Sequence, residues 1–223
     1  MKQILTSLFY LFIYSSSILL SAQYKVVGEV FTQSWWPYCP DARAGIQELY
    51  NNQPNFIPLI WQGDTENVSP NYGGRAGLYG VSGIPHVEFG GTISSVGGGG
   101  NMYPTYLNLY NSLLGDYSPL VINQFVNTIG NDVVISADVE ITDNITTSNN
   151  KILFVLVKYQ DSDYFSSVIA YQESSFNLTG IGETGNFESS IAIDPNWDLD
   201  LVKAVVMVQS WSTNQILQAD MAE

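Results

Sequence analysis

One cysteine, one histidine and seven basic residues stand in a chain of 223 residues. Each shortage excludes something. A single cysteine forms no intramolecular disulfide and no cysteine-rich zinc site. A single histidine excludes metal motifs of the HExxH kind. Seven bases against 21 acids leave a net charge of −14, so the chain lacks the cations that would neutralise the phosphates of a nucleic acid. Charged residues make up only 13% of the chain while hydrophobic residues make up 45%, which is too apolar for disorder. The length suits one large domain or two small ones.

What is present begins with an address. Met1-Lys2 is a short positive start, and Ile4 to Leu20 is an apolar run broken by Thr6, Ser7 and Ser15 to Ser17. Small residues Ser21-Ala22 and then Gln23 follow. This is the pattern of a secretory signal peptide. A membrane anchor fits less well, because the run is short, serine-broken and not followed by a basic stop-transfer cluster. Residues 1–22 are therefore expected to be a signal peptide, and the mature chain to carry no transmembrane span. That chain is expected outside the cytoplasm: periplasmic, outer-membrane associated or secreted.

The remainder changes periodicity near Ser118-Pro119, which predicts two domains, residues 23–118 and 119–223. In the first, Val26 to Phe31, Phe56 to Trp61 and Val87 to Phe89 read as buried strands, with Pro58 arguing for an edge or a bulge. Cys39, Ala42, Ile46 and Leu49 recur at helical spacing. So do Tyr103, Tyr106, Leu107, Tyr110, Leu113 and Leu114, in a helix stopped by Gly115. Strand–helix alternation predicts an α/β sheet. In the second, about seven β-branched or aromatic runs, separated by Gly, Asn, Asp and Ser clusters, predict an all-β sandwich, immunoglobulin-like in architecture. The acidity is lopsided. Residues 23–119 carry 3 bases and 7 acids, and residues 120–223 carry 3 bases and 14 acids. Solubility of an exposed sandwich accounts for that excess.

Two stretches carry chemistry. One is Phe31-Thr32-Gln33-Ser34-Trp35-Trp36-Pro37-Tyr38-Cys39-Pro40: a buried strand, a Trp, a short turn and a Cys entering a helix. The other is Tyr79-Gly80-Val81-Ser82-Gly83-Ile84-Pro85-His86-Val87-Glu88-Phe89, a loop leading through Pro85 into a strand. Together they resemble the thioredoxin-like superfamily, with its Trp-Cys-x-x-Cys tip and its cis-proline loop. More narrowly, the chain resembles bacterial surface proteins that bear an outer-membrane-protein name and join a thioredoxin-like half to a β-sandwich. Thr32 to Pro40 is similar to their Thr-x-x-Trp-Cys-x-x-Cys-Pro. Ser118 to Ile122, Asn196 to Leu199 and Gln215 to Ala219 are similar to later parts of the same pattern.

The resemblance implies a tip with its first cysteine replaced by Trp36. In a dithiol exchanger that first thiol is the nucleophile, its pKa lowered at a helix N-terminus. Cys39 matches the second, resolving cysteine, and its apolar helical partners turn it inward. The buried acid of thioredoxins falls on Val30, with Glu29 beside it. Dithiol oxidoreductase activity is therefore not expected, and no cofactor is expected. The implied function is non-catalytic binding of an extended peptide or protein through Trp35, Trp36, Pro37 and Tyr38 with Ile84, Pro85 and His86. The alternative is a weak monothiol oxidoreductase or thiol peroxidase using Cys39. Trp36 fits either an exposed binding patch or a plug folded into the core.

Other patterns resolve to simpler readings. Cys39 and His86 are expected in one neighbourhood, but two ligands do not make a metal site. Asp194, Asn196, Asp198 and Asp200 alternate like the start of a calcium loop, yet Leu199 and Val205 stand where Gly and Glu are needed, so a turn is expected. The glycine run Gly97 to Gly100 lacks the phosphate-loop frame and reads as a flexible loop.

Overall fold

The computed structural model describes residues 23–64, 68–159 and 165–222. The expected signal peptide, residues 1–22, lies outside the described residues. The first half runs β1 (Val26–Thr32), α1 (Cys39–Asn52), β2 (Phe56–Gln62), α2 (Tyr72–Leu78), β3 (His86–Phe89), β4 (Ile93–Val96) and α3 (Tyr103–Leu113). Ser118 and Pro119 lie between α3 and the second half, which is β5 (Leu120–Ile129), β6 (Asp132–Ile141), β7 (Asn150–Lys158), β8 (Ser167–Ser175), β9 (Thr184–Ala192), β10 (Val202–Ser210) and β11 (Ile216–Met221). Among the described residues no helix is long and apolar enough to cross a membrane.

Local sequence explains most of these elements. β1 and β2 are buried at every position, as near-continuous apolar runs covered on both faces should be. α1 and α3 each carry a proline in the first turn, where the missing N–H costs no hydrogen bond. Each then buries one stripe: Ala42, Ile46 and Leu49 on α1, and Tyr106, Tyr110 and Leu113 on α3. α2 and β4 were not visible in the sequence. The α2 segment is Tyr-Gly-Gly-Arg-Ala-Gly-Leu, poor in helix formers, and tertiary contacts of Arg75 hold it in place.

The strands form two sheets, one of eight strands in the order β11-β10-β7-β8-β2-β1-β3-β4 and one of three in the order β5-β6-β9. The first half and the second half thus share the large sheet, joined where β2 and β8 run parallel at Ile60 and Ser167. β2 is an inner strand, not an edge. Pro58 is tolerated because β8 begins to pair only two residues later; there the Pro58 carbonyl accepts the Ser166 hydroxyl at 2.6 Å.

Three apolar layers separate four structural ones. Val26, Val30, Ile60 and Val87 face α1 and α3. The other face of the same strands, with Val27, Phe31, Leu59 and Trp61, packs on Leu153, Val155, Val205 and Met207. The far side of β7 and β10, with Ile152, Phe154, Val206 and Val208, packs on Leu120, Ile135 and Ile141 of the small sheet. The eight-stranded sheet therefore folds back so that β1 and β2 lie over β7 and β10. Two contacts close the fold-back: the Tyr24 hydroxyl donates to the Ile216 carbonyl at 2.9 Å, and the Ile216 N–H donates to the Gly90 carbonyl at 2.9 Å. Beside them Gly91 has φ +76°, and an added Cβ would sit 1.9 Å from the Asn214 carbonyl oxygen, so only glycine fits there.

An ion pair sits inside this fold-back. Glu29 and Arg75 are 0% and 1% exposed. Arg75 Nε donates to Glu29 Oε2 at 3.1 Å, with a second bond between Arg75 Nη2 and Glu29 Oε1. Trp61 Nε1 donates to Glu29 Oε2 at 2.9 Å, and the Tyr79 hydroxyl donates to Glu29 Oε1. From the other half, Gln209 Oε1 accepts from Arg75 Nη1 at 2.8 Å, while Gln209 Nε2 donates to the Tyr79 hydroxyl at 2.7 Å. Burial disfavours the Arg75 charge, but the Glu29 carboxylate more than offsets this and raises its pKa. Removing one member of such a pair leaves the other charge buried and uncompensated. Glu29→Gln is expected to destabilise the protein by about 3–5 kcal/mol. Urea unfolding measures this, and a loss below about 1 kcal/mol, the range of a solvent-exposed pair, would refute the assignment.

Candidate functional site

The tip is built where β1 runs out. The Thr32 carbonyl accepts the Gly63 N–H at 2.9 Å, and the Ser34 N–H donates to both Asp64 carboxylate oxygens at 2.9 Å. The chain then turns, with the Cys39 N–H donating to the Trp36 carbonyl at 3.0 Å, and α1 begins at Cys39. Residues 35–38 are thereby projected outward. Trp35 is 68% exposed, Trp36 36% and Tyr38 51%, and Pro37 is exposed. The rings stack edge to face: Trp35 and Trp36 at 5.6 Å, Trp36 and Tyr38 at 6.4 Å. The plug reading of Trp36 is excluded, because a core plug would be buried.

The second wall is the Pro85 loop. The Ile84–Pro85 peptide is cis, Pro85 is buried and Ile84 half-buried. A third wall was missed in the sequence. Residues 97–100, expected to be a flexible loop, pack against the tip. The Gly97 N–H donates to the Pro85 carbonyl at 2.8 Å, and the Gly100 N–H donates to Asp41 Oδ2 at 2.8 Å. A Cβ on Gly98 would lie 2.6 Å from the Tyr38 carbonyl oxygen and 3.2 Å from Pro85 Cγ. Glycine at 98 lets the backbone pass between tip and loop. Asp64 and Asp41, which tie the tip down, had no sequence signal, because each acts on a backbone N–H distant in the chain.

Cys39 is 0% exposed. It heads the stripe Ala42, Ile46, Leu49 that faces the sheet. Val30 lies in the same apolar layer, whereas Glu29, on the opposite face of β1, is held by Arg75. Alternation along a strand enforces this separation.

His86 begins β3. It is 6% exposed and pairs in β3 opposite Phe31, with the two rings edge to face at 6.1 Å. That is the face of the sheet away from α1. There His86 Nε2 lies 3.0 Å from Glu88 Oε2. Phe31 and His86 sit on one face of the sheet, while Val30 and Val87 lie in the layer with α1 on the other. Among the described residues no group of three or more His, Cys, Asp or Glu could hold a metal ion. The site thus presents aromatic rings, Pro37 and main chain at its surface, and its one thiol is buried.

No family model matches the chain. A thioredoxin of Methanocaldococcus jannaschii is 27% identical over 73 residues, which is 33% of this chain and 80% of that protein. HBP35 of Porphyromonas gingivalis is 15% identical but superposes with a TM-score of 0.70, covering 91% of this chain and 76% of its own. It shares the fold across both halves. A domain of the outer membrane lipoprotein Omp28 from the same organism, 10% identical, covers 48% of this chain and 88% of its own with a TM-score of 0.35. The fold is thus thioredoxin-like in its first half and continued by a β half.

Glu88 gives a test of the Pro85 side. Burial raises its pKa, the hydrogen bond and charge of His86 pull it back, and Glu29 adds to the rise; the net is upward from 4.5. The folded state therefore holds the Glu88 proton more tightly than the unfolded state does. The resulting stability is fully present below about pH 4.5 and is lost as pH rises through the raised value. The stability difference between the native chain and Glu88→Gln should fall across that window, as urea unfolding at a series of pH values would report. A flat difference would contradict the assignment.

Proposed function

We propose that this protein is a thioredoxin-fold binding protein that works without thiol chemistry, recognising an extended peptide or protein segment at its aromatic tip. The observation that carries this reading is the inversion at the tip: Trp35, Trp36 and Tyr38 are exposed while Cys39 is 0% exposed. In this reading Trp36 occupies the place of the nucleophilic cysteine. Aromatic side chains bring large contact area at low entropy cost and dominate binding energetics where they cluster. A segment lying on the rings would meet Ile84 and Pro85 on one side and the glycine segment at Gly98 on the other.

The same reading extends to the rest of the chain. A small sheet of β5, β6 and β9 faces β11, β10, β7 and β8, and this seven-strand arrangement supports an immunoglobulin-like sandwich over residues 119–223, following a thioredoxin-like domain over residues 23–118. Residues 1–22 act in this proposal as a secretory signal. The protein works outside the cytoplasm of a bacterium, in the periplasm, at the outer membrane or beyond it. No specific observation favours the monothiol enzyme, since thiol exchange needs an accessible thiolate.

Two experiments test the proposal. The insulin B chain, reduced and alkylated, serves as an extended probe in a tryptophan-fluorescence titration. Saturable binding is expected, and Trp35→Ala with Trp36→Ala should abolish it while changing stability by little, about 0.5 kcal/mol per exposed site. Equal binding by the double variant would sink the tip. For the thiol, iodoacetamide should label Cys39 slowly in the native chain and rapidly in denaturant. Trp36→Cys should fold and gain insulin-reducing activity, because it restores an exposed thiol at the helix start. Rapid native labelling, or insulin reduction by the unaltered chain, would favour the enzyme instead.

A further inference from the structure

Four strands form the edges of the two sheets: β11 and β4 in the large one, β5 and β9 in the small one. A free edge is a row of unpaired main-chain groups. Folded chains shorten it, charge it or cover it, which prevents pairing with other chains. Three edges are managed in this way. β4 has only four residues. Along β11, the Gln218 side chain accepts the Lys25 N–H at 3.1 Å and donates to the Gln23 carbonyl at 3.2 Å, and Lys25 pairs with Asp220. β9 carries Glu188, and its Ser190 carbonyl and Ser189 hydroxyl are both bonded to Gln172 of β8.

β5 has no such device. Its ten residues, Leu120–Ile129, include no proline, no glycine and no charge. It pairs with β6 in unbroken register, from Leu120 opposite Ile141 to Ile129 opposite Asp132. Gly130, at φ +62°, and Asn131 close the hairpin. A two-residue loop makes the pair that flanks it a hydrogen-bonded one, so Ile129, Asn127 and Phe125 turn their N–H and C=O groups to β6. Val126 and Thr128 turn theirs outward, and among the described residues nothing bonds to them. The sandwich core ends at Gln124, whose side-chain amide donates to the Ala204 carbonyl of β10 at 3.4 Å. Beyond it Val126 on the inner face is 39% exposed, and Phe125 and Ile129 on the outer face are 54% and 64% exposed. Residues 125–129 therefore overhang the sandwich, with apolar side chains uncovered on both faces.

The segment is complementary to itself. With two copies antiparallel about a two-fold axis at Asn127, Val126 of each copy stands opposite Thr128 of the other. Both residues have outward main-chain groups, so each such pair exchanges two hydrogen bonds. Phe125 then stands opposite Ile129 of the other copy, in the closely spaced kind of pair where side chains meet. An axis at Val126 or Thr128 would put Phe125 opposite Asn127 or Asn131 instead. Residues 120–131 carry no charge, so no like charges meet across the axis, and an ionic partner finds nothing there to pair with. A patch that matches itself is what a two-fold dimer requires. We propose that residues 125–129 of β5 are a homodimer interface that joins two three-stranded sheets edge to edge. The strip is small, so the dimer is weak, with a Kd on the order of 10–100 µM. Two chains of net charge −14 repel one another, so added salt strengthens the dimer by screening. The interface uses no residue of the aromatic tip and does not depend on what the tip binds.

Sedimentation velocity of the purified chain, from about 2 to 500 µM, tests this over the range of weak association. The weight-average sedimentation coefficient should climb towards that of a dimer, and at lower concentration in 0.5 M than in 0.05 M NaCl. Val126→Pro deletes an outward N–H and leaves the β6 ladder whole. Ile129→Glu changes an exposed side chain and sets a charge opposite Phe125. Each should weaken dimerisation at least about tenfold, with Ile129→Glu deciding if the proline variant does not fold. Asn127→Cys, oxidised with diamide, should form a covalent dimer, since the axis sets its Cα about 4.5 Å from its own copy. Thr184→Cys, exposed on the other edge strand, should not. A chain that stays monomeric throughout in high salt would overturn the proposal. So would dimers undiminished by Ile129→Glu, or equal cross-linking at positions 127 and 184.

Discussion

The buried pair of Glu29 and Arg75 is the constraint on which the rest of this structure depends. It lies between two layers of one folded-back sheet, where a lone charge would be expensive. The desolvation of two ions is offset only when the remaining donors and acceptors are also satisfied. Here they are, by Trp61, Tyr79 and Gln209. Those partners come from β2, from the end of α2 and from β10. One cluster therefore fixes the short helix, the loop that follows it and the distance between the two halves. The Arg75 guanidinium also lies 5.7 Å from the Trp61 ring, 5.3 Å from Tyr79 and 5.6 Å from Trp211, so rings cover it from several sides. α2 has three glycines in seven residues and would not persist without that anchor.

The same cluster marks the limit of what the sequence makes legible. Periodicity reveals β1, α1, β2 and α3 because their apolar spacing is written within a dozen residues. The second half is legible as a series of short strands for the same reason. The fold-back of the large sheet is not, because it depends on β8 pairing with β2 across 107 positions of chain. Arg75 and Gln209 are 134 apart, and neither carries a local motif. At the tip, Trp35 to Cys39 and Pro85 stand out by residue type, yet the chain segments that hold them, Asp64, Asp41 and Gly98, do not. Each acts through main-chain geometry rather than through a motif. For His86 the place after Pro85 is legible, but its ring partners Phe31 and Glu88 follow from the two-residue period of β3 and its pairing with β1.

The start of α1 and the turn before it have opposite surroundings. Cys39 begins a stripe that continues through Ala42, Ile46 and Leu49 into the apolar layer under the helices. Trp36, three residues earlier, still belongs to the turn and faces water along part of its surface. A thiol that attacks a disulfide needs a line of approach and stabilisation as a thiolate. Burial removes the approach whatever the helix terminus offers. The surface above it is aromatic, and surfaces of that kind act by area and shape.

The tip and a cavity beside β8, lined by Gln62 and Ser167, arise from one structural rule. Both lie at the carboxyl end of a parallel strand, where the ladder stops and main-chain groups must find other partners. At the end of β1, the Thr32 carbonyl is taken by Gly63 and the Ser34 N–H by Asp64. At the end of β2, both groups of Gln62 are taken by Ser69. In each case a residue from the segment after β2 stops the strand and frees the surface next to it. β1 thereby releases a turn that carries rings outward, and β2 releases a gap that its neighbour does not fill. Gly63 and Asp64 stop β1 and Ser69 stops β2, which is why the two surfaces lie at one end of one sheet while differing in chemistry.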